Sequence, residues 1–479
     1  MNLLQVMLKG YLLPKLKPFN SAMQAPATLK ERFVWLIFMG LLFFLLYGAA
    51  NEYAHLTLPH AAFFWSWEKD IPFVSAFIIP YMSSDVVFII AFLLAQTRIE
   101  LRILALRVLF IVLFSVSIFV LFPLQFSFEK PAIDNFSFLF RLLEADKPFN
   151  QLPSLHVSFA IVFWSCMQSY ISNKWIKACL ALWLGLVAFS TLFVFQHHFI
   201  DLPTGLLVGV LAVYLFKETR YPRILTAFST PRHLKMGLYF LLGSIVLMVF
   251  AFMVNSLSIP LLPYLIIYLF SCTLSVSLIY AFGFNDMLAN TKGVANPLQW
   301  IVFLPYFVGC KLSWAYYTRT LPLMAKVEDG VFVGRHPKSV EYKKIRALGV
   351  SQIINLATEL QLNNTPLISN QLTQHRLNFL DQTMQSPEAL HHAVLLIERY
   401  KGQGIYIHCA LGLSRSILVC WAWMIFKGKS DDEIIHHLTE IRPRFVQSKY
   451  MQINVDLYRQ FLLDDHKAHW DKKHASYTL

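Results

Sequence analysis

The chain has 479 residues, of which 56% are hydrophobic, 15% are aromatic and only 14% are charged. This composition is too apolar for a soluble globular protein, so most of the chain is expected to face lipid. The formal net charge of +13 is also found in proteins that bind nucleic acid, but the basic residues here are spread over the connections between apolar runs. Membrane topology and anionic lipid explain them more simply, and we predict no nucleic acid partner.

Long apolar runs predict the membrane-spanning helices, because about 20 apolar residues cross a bilayer. The last run contains Pro305 and Lys311 and could lie in the membrane interface instead of crossing. With eight spans the C-terminal part of the chain lies in the cytoplasm, and with nine it lies outside. We expect eight or nine spans from the runs at roughly 33–50, 72–95, 103–122, 157–172, 176–195, 199–216, 236–255, 261–284 and 297–317.

Basic residues predict the orientation of these spans. The N-terminal segment and the second, fourth and sixth connections are rich in Lys and Arg, so we expect them to be cytoplasmic. The first, third and fifth connections would face outward. Residues 1–32 are interrupted by Lys9, Pro14 and Lys15, which predicts an interfacial segment and no cleavable signal peptide. The six cysteines show no disulfide spacing, which favours a reducing compartment.

Two outward connections carry polar groups at span ends, where ionisable residues are costly unless they are used. His156 ends the stretch Pro153-Ser154-Leu155-His156, and His197 and Asp201 lie one helical turn apart. We predict His197 as a nucleophile toward phosphorus, Asp201 as the group that fixes its tautomer, and His156 as the acid for the leaving oxygen. His198 lacks this spacing and is interpreted as an interfacial side chain. The alternative is that the histidines only anchor the span ends.

These elements resemble the type-2 phosphatidic acid phosphatase superfamily over roughly residues 35 to 220. The resemblance implies a six-span helical core and a phospho-histidine intermediate, with Ser154, Lys130 and Lys147 as candidates for phosphate binding. Ser190-Thr191 stands where the family commonly has Ser-Arg, and it resembles the branch of inositol phosphorylceramide and sphingomyelin synthases. Transfer of a phosphorylated headgroup therefore stays open beside hydrolysis.

The stretch from Ile407 to Ser416 predicts a strand, a tight loop and a helix start in that order. Amide groups and the dipole at a helix start favour an anion and lower the pKa of a thiol. Cys409 is therefore predicted to be a thiolate nucleophile, and Arg415 to clamp two phosphate oxygens. The alternative is an inert buried thiol. Ser416 is expected to help the phosphoryl group leave the sulfur, and the predicted phosphate-binding loop is Ala410, Leu411, Gly412, Leu413 and Ser414.

His-Cys, five residues, Arg and Ser resemble the active-site motif of the cysteine-dependent protein tyrosine and dual-specificity phosphatases, over roughly residues 325 to 470. The resemblance implies an upstream aspartate as general acid, and Asp381 is the candidate. A helix is predicted over Pro387 to Tyr400, and strands are predicted over Gly330 to Arg335, Val350 to Leu356 and Gly404 to Ile407. This alternation predicts an α/β sheet domain with helices on both faces.

The predicted fold class is an α-helical multi-span membrane domain followed by an α/β cysteine-phosphatase domain. The domain boundaries are predicted at residues 33–220, 221–320 for two or three extra spans and a linker, and 321–479. The predicted function is a membrane-bound phosphatase for phosphate monoesters, most simply lipid phosphates, in a bacterial inner membrane. A protein tyrosine or dual-specificity phosphatase in signalling, or two pockets that only bind phosphate or partners, are the alternatives. Neither half is expected to need a metal or another cofactor.

Overall fold

The computed structural model describes residues 26–131, 135–144, 146–216, 228–255, 262–288, 295–360, 371–445 and 447–475. The chain divides into two compact units, Met1–Ala227 and Phe228–Leu479. Most of the interfacial segment predicted over residues 1–32 lies outside the described residues.

The described part of the first unit is helical. Threonine caps begin two of its helices, since Thr28 forms a capping box with Glu31 and Thr97 forms one with Glu100. Local sequence therefore decides where these helices start. The helices are α1 (Leu29–Leu56), α2 (Ile78–Leu94), α3 (Arg98–Leu121), α4 (Ser137–Leu143), α5 (Leu155–Met167), α6 (Lys174–Phe193) and α7 (Asp201–Leu215).

Helices α5 and α7 pack closely because small residues line their contact. A Cβ atom on Gly205 would lie 2.4 Å from the Ser154 carbonyl oxygen, and one on Gly209 would lie 2.8 Å from the Ser158 carbonyl oxygen. The Ser158 hydroxyl donates to the Gly205 carbonyl at 2.8 Å. The N-terminal ends of the two helices are thereby held side by side.

The second unit begins with three helices and continues into a sheet domain. The helices are α8 (Pro231–Asn255), α9 (Leu262–Phe282) and α10 (Pro297–Tyr317). The sheet domain contains β1 (Met324–Glu328), β2 (Val331–Arg335), α11 (Tyr342–Ala347), β3 (Gln352–Ala357), β4 (Thr373–Phe379), α12 (Pro387–Tyr400), β5 (Ile405–Cys409), α13 (Arg415–Phe426), α14 (Asp431–Ile441) and α15 (Lys449–Ala475).

Six helices of the described residues are long and apolar enough to cross a membrane: 29–56, 75–94, 98–121, 174–193, 231–254 and 262–282. The prediction of eight or nine spans came from nine apolar runs, and each run contains a helix. Two of them, α5 and α7, have only 13 and 15 residues. Helix α10 has 21 residues, but it includes Gln299, Pro305 and Lys311 and is not among the six.

Helix α10 contacts α9 at several points and also the turn that follows α9, where the Gln299 side chain donates to the Met287 carbonyl at 2.8 Å. The hydroxyl of Tyr268, near the start of α9, donates to the carbonyl of Ile301 near the start of α10 at 2.5 Å. Further along, Tyr280 of α9 and Tyr306 of α10 both pack on the ring of Phe240, at centroid distances of 5.3 and 6.2 Å.

The sheet has the strand order β1-β2-β5-β3-β4, in which β1 is antiparallel to β2 and the other neighbours are parallel. One face packs on α12 to α15 through a core that includes Val333, Ile354 and Ile407. The opposite face packs on α11 through Ile353 and Tyr406. The predicted α/β domain with helices on both faces is confirmed, and β5 lies at its centre.

Candidate active sites

Cys409 is the last residue of the central strand β5, and its side chain is 2% exposed. The chain then forms a loop over 410–414, and α13 begins at Arg415. The amide nitrogen of Gly412 donates to the Cys409 sulfur at 3.2 Å, and the Ser416 hydroxyl oxygen lies 3.5 Å from the same sulfur. Strand, loop and helix thus surround the sulfur with hydrogen-bonding groups.

The carbonyl groups of this loop are bound from behind. The buried guanidinium of Arg442 donates to the Leu411 carbonyl at 3.3 Å and to the Gly412 carbonyl at 3.2 Å. The amide of His336 donates to the Ala410 carbonyl at 3.0 Å. These hydrogen bonds hold the loop carbonyls on the side away from the sulfur. The loop amides can then point toward the sulfur, as in backbone nests that bind anions.

Gly412 has the backbone conformation that only glycine adopts easily, with φ at +72°. A Cβ atom at this position would lie 2.4 Å from the Gly334 carbonyl carbon and 2.4 Å from Arg442 Nη2. The loop therefore requires glycine here both for its backbone angle and for its close approach to β2.

The guanidinium of Arg415 is buried and forms a two-pronged ion pair with Glu359. Its Nη1 donates to Glu359 Oε2 at 2.8 Å and its Nη2 donates to Glu359 Oε1 at 2.5 Å. Nη1 also donates to the carbonyls of Leu356 and Phe379. Burial opposes the charge of Arg415, but Asp381 and Glu359 raise its pKa well above the usual value. Burial likewise opposes the charge of Glu359, and Arg415 keeps its pKa below the usual value.

This pairing determines which donors of Arg415 remain for a phosphate. A guanidinium has five N–H groups. Those on Nη1 are taken by protein acceptors, and one on Nη2 is taken by Glu359. Among the described residues, Nε has no hydrogen-bond partner of good geometry. One Nη2 hydrogen and the Nε hydrogen are therefore the pair that can bind two phosphate oxygens.

Asp381 lies at the open side of this site. Its carboxylate is 3.1 Å from Arg415 Nε, and the Ser414 hydroxyl donates to it at 3.4 Å. The side chain is 41% exposed, so it can reach both solvent and a bound substrate. A phosphate on the loop would compete with Asp381 for the Nε group of Arg415.

His408 lies behind the nucleophile and is fully buried. Burial lowers the pKa of His408 well below the usual value, and the nearby His336 lowers it further. The two imidazole rings lie 5.1 Å apart in an edge-to-face arrangement. His408 is therefore a neutral side chain at neutral pH.

The loop that carries Asp381 lies against α9 and the short turn after it. Leu380 is 1% exposed and packs in one cluster with Ile279 of α9 and Phe303 of α10. The side-chain amide of Asn378, near the end of β4, donates to Asp286 Oδ1 at 2.7 Å. The helices of the second unit thus contact this side of the cysteine site.

In the first unit, His197 and Asp201 form the pair that their spacing predicts. The two side chains meet at 3.1 Å through Nδ1 of His197 and Oδ2 of Asp201. The same carboxylate oxygen accepts the amide hydrogen of His198 at 3.0 Å, and Asp201 is 1% exposed. A carboxylate at Nδ1 leaves Nε2 of His197 free to act as a nucleophile.

His156 and Ser154 are near this pair. The rings of His156 and His197 lie 6.2 Å apart, and His156 also packs on Tyr81 at 4.2 Å. Ser154 precedes α5, and its amide donates to the Asp201 carbonyl at 3.0 Å. Its buried hydroxyl has no partner among the described residues, so it is available to a ligand at the start of α5.

The two lysines proposed for phosphate binding make no direct contact with the histidine pair among the described residues. Lys147 is ion-paired with Glu52, and Lys130 is exposed. Asp146 interacts electrostatically with Lys130 and with His197. Burial raises the pKa of Asp146, while a hydrogen bond from Tyr47 and the charges of His197 and Lys130 oppose that rise.

The interpretation of His198 as an interfacial side chain is wrong. It is 2% exposed, and its Nδ1 lies 3.3 Å from Oε2 of the buried Glu68. Its ring stacks on Phe126 at 4.5 Å and on Phe64 at 5.2 Å. Burial lowers the pKa of His198, and Glu68 opposes that effect. Its role is to hold the connection before α7 against the connection after α1.

Comparison with known families finds matches to two parts of the chain. Residues 331–460 match the model of the dual specificity phosphatase catalytic domain, and residues 122–224 match the PAP2 superfamily. The chain joins a PAP2 region to a dual specificity phosphatase domain, in that order. Both families hydrolyse phosphate esters, so the protein is a phosphatase. Six helices of the described residues are long and apolar enough to cross a membrane, and the phosphatase domains imply a phosphorylated substrate.

Three solved structures that resemble this phosphatase each cover less than a third of its chain. Tk-PTP in its active form is 24% identical, covers 29% of this chain and 97% of its own, and has a TM-score of 0.27. PTPMT1 is 21% identical, with a match that covers 30% of this chain and 99% of PTPMT1, and has a TM-score of 0.28. Human DUSP28 is 18% identical, covers 29% and 99%, and has a TM-score of 0.27. A comparison with curated proteins gave no match.

The phosphatase contains three functional-site residues that sequence reasoning missed: Glu359, Arg442 and Glu68. Glu359 follows β3, whose carboxyl end lies at the same sheet edge as Cys409, so its position after a buried strand was a usable signal. Arg442 and Glu68 gave no such signal, because each lies in a polar stretch far along the chain from its partner. Within the described residues, no cluster of three or more His, Cys, Asp or Glu side chains suits a metal ion.

Proposed function

We propose that this membrane phosphatase hydrolyses phosphate monoesters of lipids through two independent sites, one forming a phospho-cysteine and the other a phospho-histidine. The proposed domains are residues 33–220, 221–320 and 321–479, in a bacterial inner membrane. The proposal of a lipid substrate rests on the burial of Leu380, beside Asp381, among the apolar helices α9 and α10. A site that contacts such helices suits a phosphate held at a bilayer surface.

In the cysteine site, the Cys409 thiolate attacks phosphorus while the carboxylic acid of Asp381 protonates the departing alkoxide oxygen. The sulfur–phosphorus bond forms as the phosphorus–oxygen bond breaks. Water then cleaves the phospho-cysteine, with Asp381 as the base that accepts its proton and Ser416 beside the leaving sulfur. The loop amides and the two remaining N–H groups of Arg415 balance the charge of the phosphoryl oxygens.

In the histidine site, Nε2 of His197 attacks phosphorus and Asp201 stabilises the charge that develops on the ring. His156 protonates the leaving oxygen, and water attacks the phospho-histidine in the second step. The free hydroxyl of Ser154 and the start of α5 support phosphate binding. Lys130 and Lys147 are proposed only as charges near the entrance of this site.

The cysteine site is proposed to face the cytoplasm. Asn378, near the end of β4, contacts Asp286 just after the end of α9, and Gln382, next to Asp381, contacts Arg232 in the first turn of α8. The connection that precedes α8 is basic, with Lys217, Arg220 and Arg223, and basic connections stay inside.

The lipid assignment is tested with purified protein and a panel of substrates. We expect faster phosphate release from phosphatidylglycerophosphate or phosphatidic acid in mixed micelles than from phosphotyrosyl peptides. The reverse ranking would favour a signalling protein phosphatase. Release of a transferred headgroup product instead of free phosphate would favour a phosphotransferase in the PAP2 region.

Two variants separate the sites. Cys409→Ser should abolish the vanadate-sensitive, thiol-dependent part of the activity, and His197→Ala should abolish the remainder. If either substitution alone removed both parts, independence of the two sites would be wrong. For sidedness, a membrane-impermeant substrate should be hydrolysed by the Cys409-dependent activity in inside-out vesicles and not in intact spheroplasts.

A further inference from the structure

The two neighbours of Asp381 are both held by residues outside the matched phosphatase domain. Leu380 packs between α9 and α10, as described above. On the other side, Nε of Arg232 donates to the Gln382 carbonyl at 2.9 Å, and its Nη2 donates to Gln382 Oε1 at 3.3 Å. Arg232 lies in the first turn of α8, about a hundred residues before the matched region begins at residue 331.

Arg232 is well suited to fix this loop. Its guanidinium forms two hydrogen bonds to one residue, and it stacks over the ring of Tyr450 at 4.9 Å. A planar, two-pronged contact restrains orientation as well as distance, and a stacked arginine loses fewer conformations when it binds. Gln382 has φ at +54°, a conformation that a non-glycine residue keeps only when its surroundings support it.

The position of Asp381 itself depends on these contacts. Its carboxylate is 41% exposed and interacts with Arg415 and Ser414, both of which are expected to turn to a bound phosphate. Once a phosphate replaces those partners, the flanking residues must hold the acid in place. A misplacement of about 1 Å at a catalytic group can cost roughly a hundredfold in rate.

We propose that Arg232 is a positioning residue for the proton donor Asp381, so that catalysis at Cys409 depends on the membrane helix α8. This rests on the proposed role of Asp381 as the general acid. Arg232 touches neither substrate nor sulfur in this scheme. It acts through Gln382, and the helical segment is thereby part of the catalytic unit and more than a membrane anchor.

The test uses leaving-group dependence, which a merely structural residue would not change. General acid catalysis matters most when the leaving oxygen is strongly basic and matters little when it leaves easily. Full-length protein carrying His197→Ala, reconstituted in lipid nanodiscs, would be assayed with phenyl phosphate and 4-nitrophenyl phosphate. Asp381→Asn in the same background shows how the two rates change when the general acid is lost completely.

We expect Arg232→Ala to lower kcat for phenyl phosphate by roughly tenfold and kcat for 4-nitrophenyl phosphate by less than about twofold. Arg232→Lys retains a donor for the Gln382 carbonyl and should restore much of the loss. Lys235→Ala, three residues further along α8, is the matched control and should change neither rate. Asp286→Ala removes the hydrogen bond to Asn378, three residues before Asp381, and should show a weaker form of the same pattern.

Two results would overturn the proposal, and a further pair of variants decides if Arg232→Ala does not fold. If Arg232→Ala and Arg232→Lys lower both rates equally, or lower neither, while Asp381→Asn acts only on phenyl phosphate, Arg232 does not position the acid. If Arg232→Ala does not fold, as judged by its thermal unfolding, Arg232→Lys and Asp286→Ala decide by the same criterion. If Asp381→Asn itself shows no leaving-group selectivity, the proposed acid is wrong and this inference falls with it.

Discussion

Glu359 accepts hydrogen bonds from both terminal nitrogens of Arg415, at 2.8 and 2.5 Å, and both side chains are buried. The pair therefore orients the guanidinium so that Nε and one Nη2 hydrogen face the loop around Cys409. Arg415 was expected to bind two phosphate oxygens. One side of its guanidinium instead binds the Glu359 carboxylate, and the other side is left for the phosphate.

Glu359→Gln should damage both stability and catalysis. Removing one charge of a buried ion pair costs about 3–5 kcal/mol, because the other charge stays buried without compensation. We also expect kcat of the cysteine site to fall at least about tenfold, since the guanidinium loses its orientation. The control is Glu341→Gln, which breaks the similar pair with Arg335 and leaves the pair of Glu359 and Arg415 intact. It should lower the unfolding temperature and spare kcat, and equal effects of both variants on kcat would contradict the assignment.

Gly412→Ala should inactivate the cysteine site. The new methyl group would meet the Gly334 backbone and Arg442 at 2.4 Å, so the loop must move away from the sulfur. Phosphate release in a His197→Ala background measures the loss, which we expect to exceed about a hundredfold. Gly428→Ala is the control that separates backbone strain from a steric clash. Gly428 also has a positive φ, at +84°, but nothing lies within 4 Å of the added carbon. It should cost about 1 kcal/mol in stability and leave activity intact.

Gly205→Ala should impair the histidine site. Its added carbon would lie 2.4 Å from the Ser154 carbonyl, which pushes the start of α5 away from Asp201. We expect at least about a tenfold loss of phosphatidic acid hydrolysis in a Cys409→Ser background. Gly185→Ala on α6 meets nothing within 4 Å and should be neutral. Unchanged activity in Gly205→Ala would show that the close contact of α5 and α7 does not set the geometry of the site.

His408 should make the second unit less stable as the pH falls. Burial holds its folded-state pKa well below the usual value of about 6.5, so below that pH the unfolded chain binds a proton that the folded chain does not. Stability from this residue is complete above pH 6.5 and is lost at about 1.4 kcal/mol per pH unit below it. Unfolding temperatures of the full-length protein and of His408→Gln, measured from pH 7.5 to 5, check this. A wild-type curve as flat as that of His408→Gln would refute it.

Local patterns predicted much of the fold. The helix expected from Pro387 to Tyr400 has those bounds, since Ser386 caps it, Pro387 suits its first turn and its apolar residues recur at helical spacing. The strand expected from Gly330 to Arg335 is β2, over Val331–Arg335. The count of eight or nine spans stays a prediction, because six helices of the described residues are long and apolar enough to cross a membrane and the other three runs form shorter or more polar helices.

By itself, the sequence determined the chemistry of this phosphatase. The residues of each motif are close along the chain, as with Cys409 and Arg415 or with His197 and Asp201, so a loop or one helical turn suffices to bring them together. Only the tertiary structure decided how those groups are supported. Glu359 reaches Arg415 from 56 residues away, and Glu68 reaches His198 from 130 residues away. Such contacts depend on how whole elements pack, and no local spacing encodes them.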